Sequence, residues 1–412
     1  MTVRAMCQAR RRPCGVWASL GVWARRFCVA TAAGLLTLLW SGAGRAGPPL
    51  SDLDALRVGP GSDGFTLAVE PRKFEFPQDH GPHPDFRYEW WYVTGNLDSS
   101  SGERFGFELT FFRIALAPLT EVPGARAAVP LPGDVARAGT PVSAWRTRQV
   151  YMAHFAITDV ARGQFRFAEK FSRDALGLAG AQAQPFRVWL DDWRLGESAE
   201  GWALHADGRG YELTLDAKPL LQPVLNGDQG LTRKAGEVGL ASYYYSIPRV
   251  AVRGKLTRAG VVSDVQGLAW LDREWGSRMV AANQQGWDWF SLQLEDGSTL
   301  MFYAIRDRDG TRDSHSAGTW VDPKGHAQAL LTNQVIIDVS DHWVSPRGVR
   351  YPSRWRVRIP SVGLDLEARP VLADQELLTK PRYWEGAVDV HGTRDGRDTF
   401  GRGYVELVGY GE

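Results

Sequence analysis

Cysteine is nearly missing from this chain. Its three cysteines, Cys7, Cys14 and Cys28, all lie in the N-terminal stretch. The remainder therefore cannot hold a disulfide framework, a CxxC redox pair or a cysteine zinc site. An HExxH helix, a GxSxG nucleophile elbow and a phosphate-binding P-loop are absent too. No dinucleotide fingerprint stands between a strand and a helix. After residue 46 no apolar run is long enough to cross a membrane as a helix. Acid and lysine are missing from residues 1–46, which carry seven arginines. The chain as a whole has 48 basic and 47 acidic side chains, so the body beyond residue 46 is net acidic. An acidic body argues against a dedicated nucleic-acid binder.

The first 46 residues have the form of a targeting signal. Arg25-Arg26 precede an apolar run from Phe27 to Trp40, and small residues follow. That run is short for a bilayer, which favours a cleaved signal peptide over an anchor. The expectation is an exported protein, periplasmic or secreted, with no integral membrane segment after cleavage.

The body reads as all-β. Residues 47–66 form a Pro/Gly/Asp-rich lead-in. Arg104–Arg113 alternates Phe105, Phe107, Leu109 and Phe111 on one side. Tyr151–Asp159, Tyr211–Leu215, Val250–Leu256 and Val335–Val339 are strand-like, with turn signals between. Asp374–Thr379 is the one short stretch expected to turn helical. Residues 117–147 suggest a long excursion between strands.

A weak internal repeat sets the domain plan. Glu89-Trp90-Trp91-Tyr92 begins a strand, as Trp287-Asp288-Trp289-Phe290 does later. Gly267–Asp272 parallels Gly401–Glu406. This implies two β-barrel domains of one design, residues 67–280 and 281–412, since closure removes exposed edges.

Strand alternation sorts the candidate residues. Glu89 shares the apolar side of its strand with Trp91 and Val93, and Asp288 shares its own with Phe290. An inward acid is either a paired structural carboxylate or a proton donor with a raised pKa. Asp272 and Glu274 share a side with Trp270, while Arg273 points the other way. These two acids could share a proton, or they could lock the junction between domains, as Glu406 at the corresponding place suggests. His154 lies mid-strand among aromatics and is either core or a proton carrier. Tyr243 and Tyr245 take one face of their strand and Tyr244 the other. One of those faces packs, and the other could meet a ligand. His80 and His83, in a Pro/Gly loop, read as a surface loop rather than a metal site. The 14 tryptophans beyond residue 46 serve either as core filler or as the lining of an apolar cavity.

Several blocks together carry a resemblance. They are PRKFEFPQDHGPHPDFRYEWWYVTGNL, YYYSIPRVAVRGKL, GLAWLDREWGS and YWEGAVDVHG with GRGYVELVGY. In these the chain resembles the AttH/carotenoid 1,2-hydratase-like family over roughly residues 67–410. The resemblance implies two consecutive lipocalin-like β-barrel domains. It implies an apolar, unsaturated or lipid ligand and no metal or organic cofactor. In the hydratases an Asp in the GLAWLDREWG block protonates a carbon–carbon double bond, and Asp272 inherits that position. The carotenoid hydratases continue there with a His-Asn-type pair, whereas this chain has Arg273-Glu274. Arg273 is thereby expected to offer Asp272 or Glu274 a partner. Trp91, Tyr243, Tyr245 and Trp270 are the expected ligand-binding aromatics, with His154, Glu89 and Glu274 assisting Asp272. Similar exported members are associated with ABC-transporter permeases, which raises a non-catalytic carrier as the rival reading. The family label "predicted secreted hydrolase" supplies a third, hydrolysis, without a nucleophile to support it.

Overall fold

The computed structural model describes residues 64–118 and 147–411. The expected signal peptide and nearly all of the 117–147 excursion lie outside the described residues. Within them the chain is all-β. It forms two curled antiparallel sheets of 13 and 10 strands. The first sheet's strands run from Tyr88 to Arg278 and the second's from Gln284 to Val408. The expected helical turn at Asp374–Thr379 is instead extended. Glu376–Leu377 pairs with Leu377 opposite Tyr383 and Glu376 opposite Trp384.

The strand pattern follows from which faces are covered. Tyr211–Pro219 pairs within the first sheet with Gly201–Gly208 on one edge and Ala241–Arg258 on the other, and has one face to solvent. It buries Tyr211, Leu213, Leu215 and Ala217 and exposes the residues between them, the alternation expected of a half-buried strand. Tyr88–Ser99 and Gln284–Leu294 are buried on both faces. One face of Tyr88–Ser99 sends Trp91, Val93 and Leu97 into the core of the first sheet. Its other face sends Trp90 and Tyr92 toward Trp289, Tyr303 and Tyr404 of the second sheet. Such a strand has no solvent side, so its sequence reads as unbroken Trp-Trp-Tyr.

The two sheets therefore pack outer face to outer face. Tyr92–Trp289 and Trp270–Trp289 meet edge to face, with ring centroids 5.1 and 6.2 Å apart. Polar contacts fix the join. Gln293 Nε2 donates to the carbonyls of Pro248 (2.8 Å) and Ala269 (3.0 Å). Asn96 Nδ2 donates to the Gly403 carbonyl at 3.2 Å. Pro248 has no N–H for the ladder, and the pairing of Ala241–Arg258 with Val261–Arg278 shifts register between Ile247 and Val250.

The loop holding His80 and His83 is a plug rather than the expected surface loop. His80 Nδ1 lies 2.6 Å from the Tyr245 hydroxyl. His83 stacks on Trp275 at 3.7 Å, between Asp79 (3.0 Å) and Glu89 (2.7 Å). The loop is drawn inward because the barrel interior offers these partners.

Candidate active site

A cavity of about 390 Å³ lies between the two sheets. Its aromatic wall includes Trp90, Tyr92, Tyr244, Trp287, Trp289 and Tyr303, and four acids reach it, Glu89, Asp272, Glu274 and Glu406. The connector between the sheets adds Met279 and Val280. This space is outside both barrels, so most of the residues that line it belong to the outward faces of their strands, with Glu89 and Arg113 reaching its edge from the inner side.

Register explains the gathering. Tyr244 stands opposite Glu274, which stands opposite Trp90. One step along, Ser246, Asp272 and Tyr92 form the next row. In the second sheet Tyr303, Trp289, Glu406 and Glu385 stand in one row. Each row presents one face, and the two faces meet.

Asp272 is almost wholly buried. Ser246 Oγ and Trp270 Nε1 each donate to its Oδ1 at 2.6 Å, and the Tyr244 hydroxyl donates to Oδ2. Burial pushes its carboxyl up to about 7, against the pull of those three donors, and the charge of Glu274 adds to the rise. Tyr244 also accepts from Trp289 Nε1 at 3.0 Å. Glu406 accepts from Trp287 Nε1 at 2.7 Å. Burial lifts it to about 8, with Glu108, Asp272 and Glu274 adding to the effect. Glu274 is held by Ser242 Oγ and by Lys234 Nζ at 2.7 Å. The Lys234 ammonium also lies 4.5 Å from the centre of the Tyr303 ring, a cation–π distance. Two carboxyls that keep their protons near neutral pH thus share an aromatic cavity with an ion pair.

The structure sorts the expected site residues. Asp272 and Glu274 line the cavity, and Trp270 holds Asp272 from beside it. Trp91, Tyr243 and Tyr245 lie inside the first barrel, with the two tyrosines packed around Phe74 and Trp275. Tyr244, on the opposite face of that strand, is the one that meets the cavity. Glu89 touches the cavity edge, but its oxygens are taken by Arg273 (2.6 Å), Arg113 (2.9 Å) and His83. Arg273 turns inward to Glu89 and to the Trp90 and Gly81 carbonyls. The expected pairing of Arg273 with Asp272 or Glu274 does not occur, because strand alternation puts them on opposite faces. His154 sits behind the cavity wall, 2.6 Å from the Tyr383 hydroxyl. Glu406 was the residue sequence reasoning missed as a site member. Its signal was the repeat, which pairs it with Asp272.

The AttH-like family matches residues 67–410. The chain belongs to the AttH-like family. A protein described as AttH from Nitrosomonas europaea shares 35% identity with this AttH-like chain. The match has a TM-score of 0.71 and covers 84% of this chain and 100% of that one. Kievitone hydratase from Nectria haematococca matches at TM-score 0.59 with 15% identity, over 84% of this chain and 98% of that one. The second likeness is one of fold. No curated protein sequence matches the chain.

Proposed function

We propose that this AttH-like protein binds an apolar, unsaturated small molecule between its two sheets and adds water across a C=C bond. The observation that carries the reading is Asp272, a buried carboxyl kept protonated near neutral pH at the wall of an aromatic cavity. Protonating an alkene requires a neutral acid held against the double bond. In its acid form Asp272 donates to the Tyr244 oxygen, and Tyr244 turns its own hydrogen to the cavity. The π pair takes that proton and leaves a carbocation, which the faces of Trp287, Trp289 and Tyr303 stabilise through their quadrupoles. A water oxygen adds to the cation and gives a proton back through Tyr244 to the ionised Asp272, which closes the cycle. We assign to Asp272 both the acid and the base that recovers the proton, because Tyr244 links it to the wall, and to Glu406, which keeps its own proton, the holding of the water. Export by residues 1–46 belongs to this reading.

One observation favours a second reading. Asp272 already accepts three hydrogen bonds, as a structural carboxyl would. The protein would then be a carrier that returns its ligand unchanged. Mass spectrometry separates the two. The protein is incubated with an isoprenoid and envelope-lipid extract in heavy-oxygen water. A product heavier by one labelled water, absent with Asp272→Asn and reduced with Glu406→Gln, supports hydration. Bound lipid recovered unlabelled supports carriage, and a labelled cleavage product supports hydrolysis.

A further inference from the structure

Glu108, His154 and Glu169 take no part in the chemistry above, yet one line of hydrogen bonds joins them. Glu169 lies at the surface with its side chain 34% exposed, and its Oε1 is 3.2 Å from His154 Nε2. His154 is fully buried. Its Nδ1 is 2.6 Å from the Tyr383 hydroxyl. That hydroxyl, which enters from the second sheet, is 3.0 Å from Glu108 Oε1. Thr110 Oγ1 also donates to Glu108 Oε1, at 2.8 Å. Tyr383 and Thr110 both border the cavity. Phe112 packs edge-on against the imidazole at 5.3 Å, the Lys380 backbone N–H donates to Glu169, and Glu108 acts by charge on Glu385 and Glu406.

We propose that Glu169, His154, Tyr383 and Glu108 form a proton-transfer path from solvent to the wall of the cavity. Every interior member can donate on one side and accept on the other. In one state the proton sits on Glu108, which donates to the Tyr383 oxygen. Tyr383 donates to His154 Nδ1, and His154 Nε2–H donates to ionised Glu169. A shift of three protons outward leaves Glu108 ionised, Tyr383 and His154 neutral, and Glu169 protonated. No atom is lost, and each acceptor lone pair receives one hydrogen. Glu108 Oε2 is buried without a hydrogen-bond partner, which a neutral carboxyl tolerates and an anion does not. Burial raises the Glu108 carboxyl, while the His154 hydrogen bond lowers that of Glu169. The first state is therefore the resting one. Its use in turnover, returning protons to the cavity, rests on the water-addition reading. The path itself does not.

The test needs no substrate. Among the described residues the carboxyls with strongly raised pKa values are buried, and the C=O stretch of a protonated carboxyl shifts when hydrogen is exchanged for deuterium. The protein is mixed rapidly into heavy water and followed by infrared spectroscopy, with the Glu108 band identified by its loss in Glu108→Gln. His154→Gln and Glu169→Gln keep a hydrogen-bonding amide in place of a titrating group. Each should slow deuteration of the Glu108 band by about a hundredfold, the low end of what a positioned proton donor contributes. Glu169→Gln sits at the surface, so it serves where His154→Gln does not fold. Loosened packing would speed exchange, the opposite sign. Exchange at the wild-type rate or faster in both variants overturns the path, as does a wild-type spectrum without a Glu108 carboxylic band. Either result leaves the water-addition reading open, and failure of water addition leaves the path standing.

Discussion

Glu89 and Asp272 are buried carboxyls on paired strands, and burial raises the pKa of each. Their partners decide the outcome. Glu89 has two guanidiniums at 2.6 and 2.9 Å, and they hold it well below the usual carboxylate range. Asp272 has only neutral donors, so desolvation wins. Glu89→Gln should leave two guanidiniums short of their counter-ion and cost about 3–5 kcal/mol, the usual penalty for breaking a buried pair. Urea unfolding measures it, and a loss below the range of a surface substitution would refute the structural role. Tyr244→Phe removes a hydrogen bond that lowers the Asp272 pKa. The Asp272 carboxyl should then titrate about one pH unit above its wild-type value. A carbon-13 titration of labelled aspartates reads this directly, and an unchanged or lowered value would break the assignment of Tyr244 as its donor.

At the scale of strands, the packing face is what the sequence hides. Gly106 shows how close the sheets come. A Cβ there would sit 2.7 Å from both the Ala387 Cβ and the Tyr404 hydroxyl. Gly106→Val should wedge the sheets apart and destabilise the protein by about 1–3 kcal/mol, as overpacking does. Thermal unfolding checks it, and wild-type stability would mean that the join is looser than described. Alternation at Glu89–Trp91 and at Asp272–Glu274 was legible and correct, because one residue's face fixes its neighbours' faces. The repeat made the paired sheets legible as well. Which face meets which space was not. A doubly buried strand carries aromatics on both sides, so Trp91 and Trp90 look alike although one fills a barrel and the other lines the cavity. Tyr243, Tyr244 and Tyr245 posed the same ambiguity. His154 was legible as a proton carrier or core residue, but its partner Tyr383 lies 229 positions away, beyond the reach of any local pattern.

Across the whole molecule, the two kinds of buried carboxyl oppose each other in pH. Glu89 and Asp79 have lowered pKa values, from ordinary values of 4.5 and 3.8. Their stabilisation is present above those values and is lost as pH falls. Asp272 and Glu406 are raised to about 7 and about 8, and Glu108 and Glu385 are raised as well. In the unfolded chain these groups release their protons from about pH 4, while the folded protein retains them. Folding then binds extra protons, so stability falls as pH rises through this window. The sum places maximal stability at about pH 5, with a loss of a few kcal/mol by about pH 8. Each tenfold difference in proton affinity between the folded and unfolded chain is worth about 1.4 kcal/mol, incompletely expressed at each site. Most of the raised groups stand between the sheets, so the loss falls on the join. Chemical unfolding across this range should show the decline, and the double variant Asp272→Asn, Glu406→Gln should flatten it. A wild-type stability that stays level or rises toward pH 8 would mean that the inter-sheet acids are ionised in the folded protein. The cavity would then have no acid to offer an alkene.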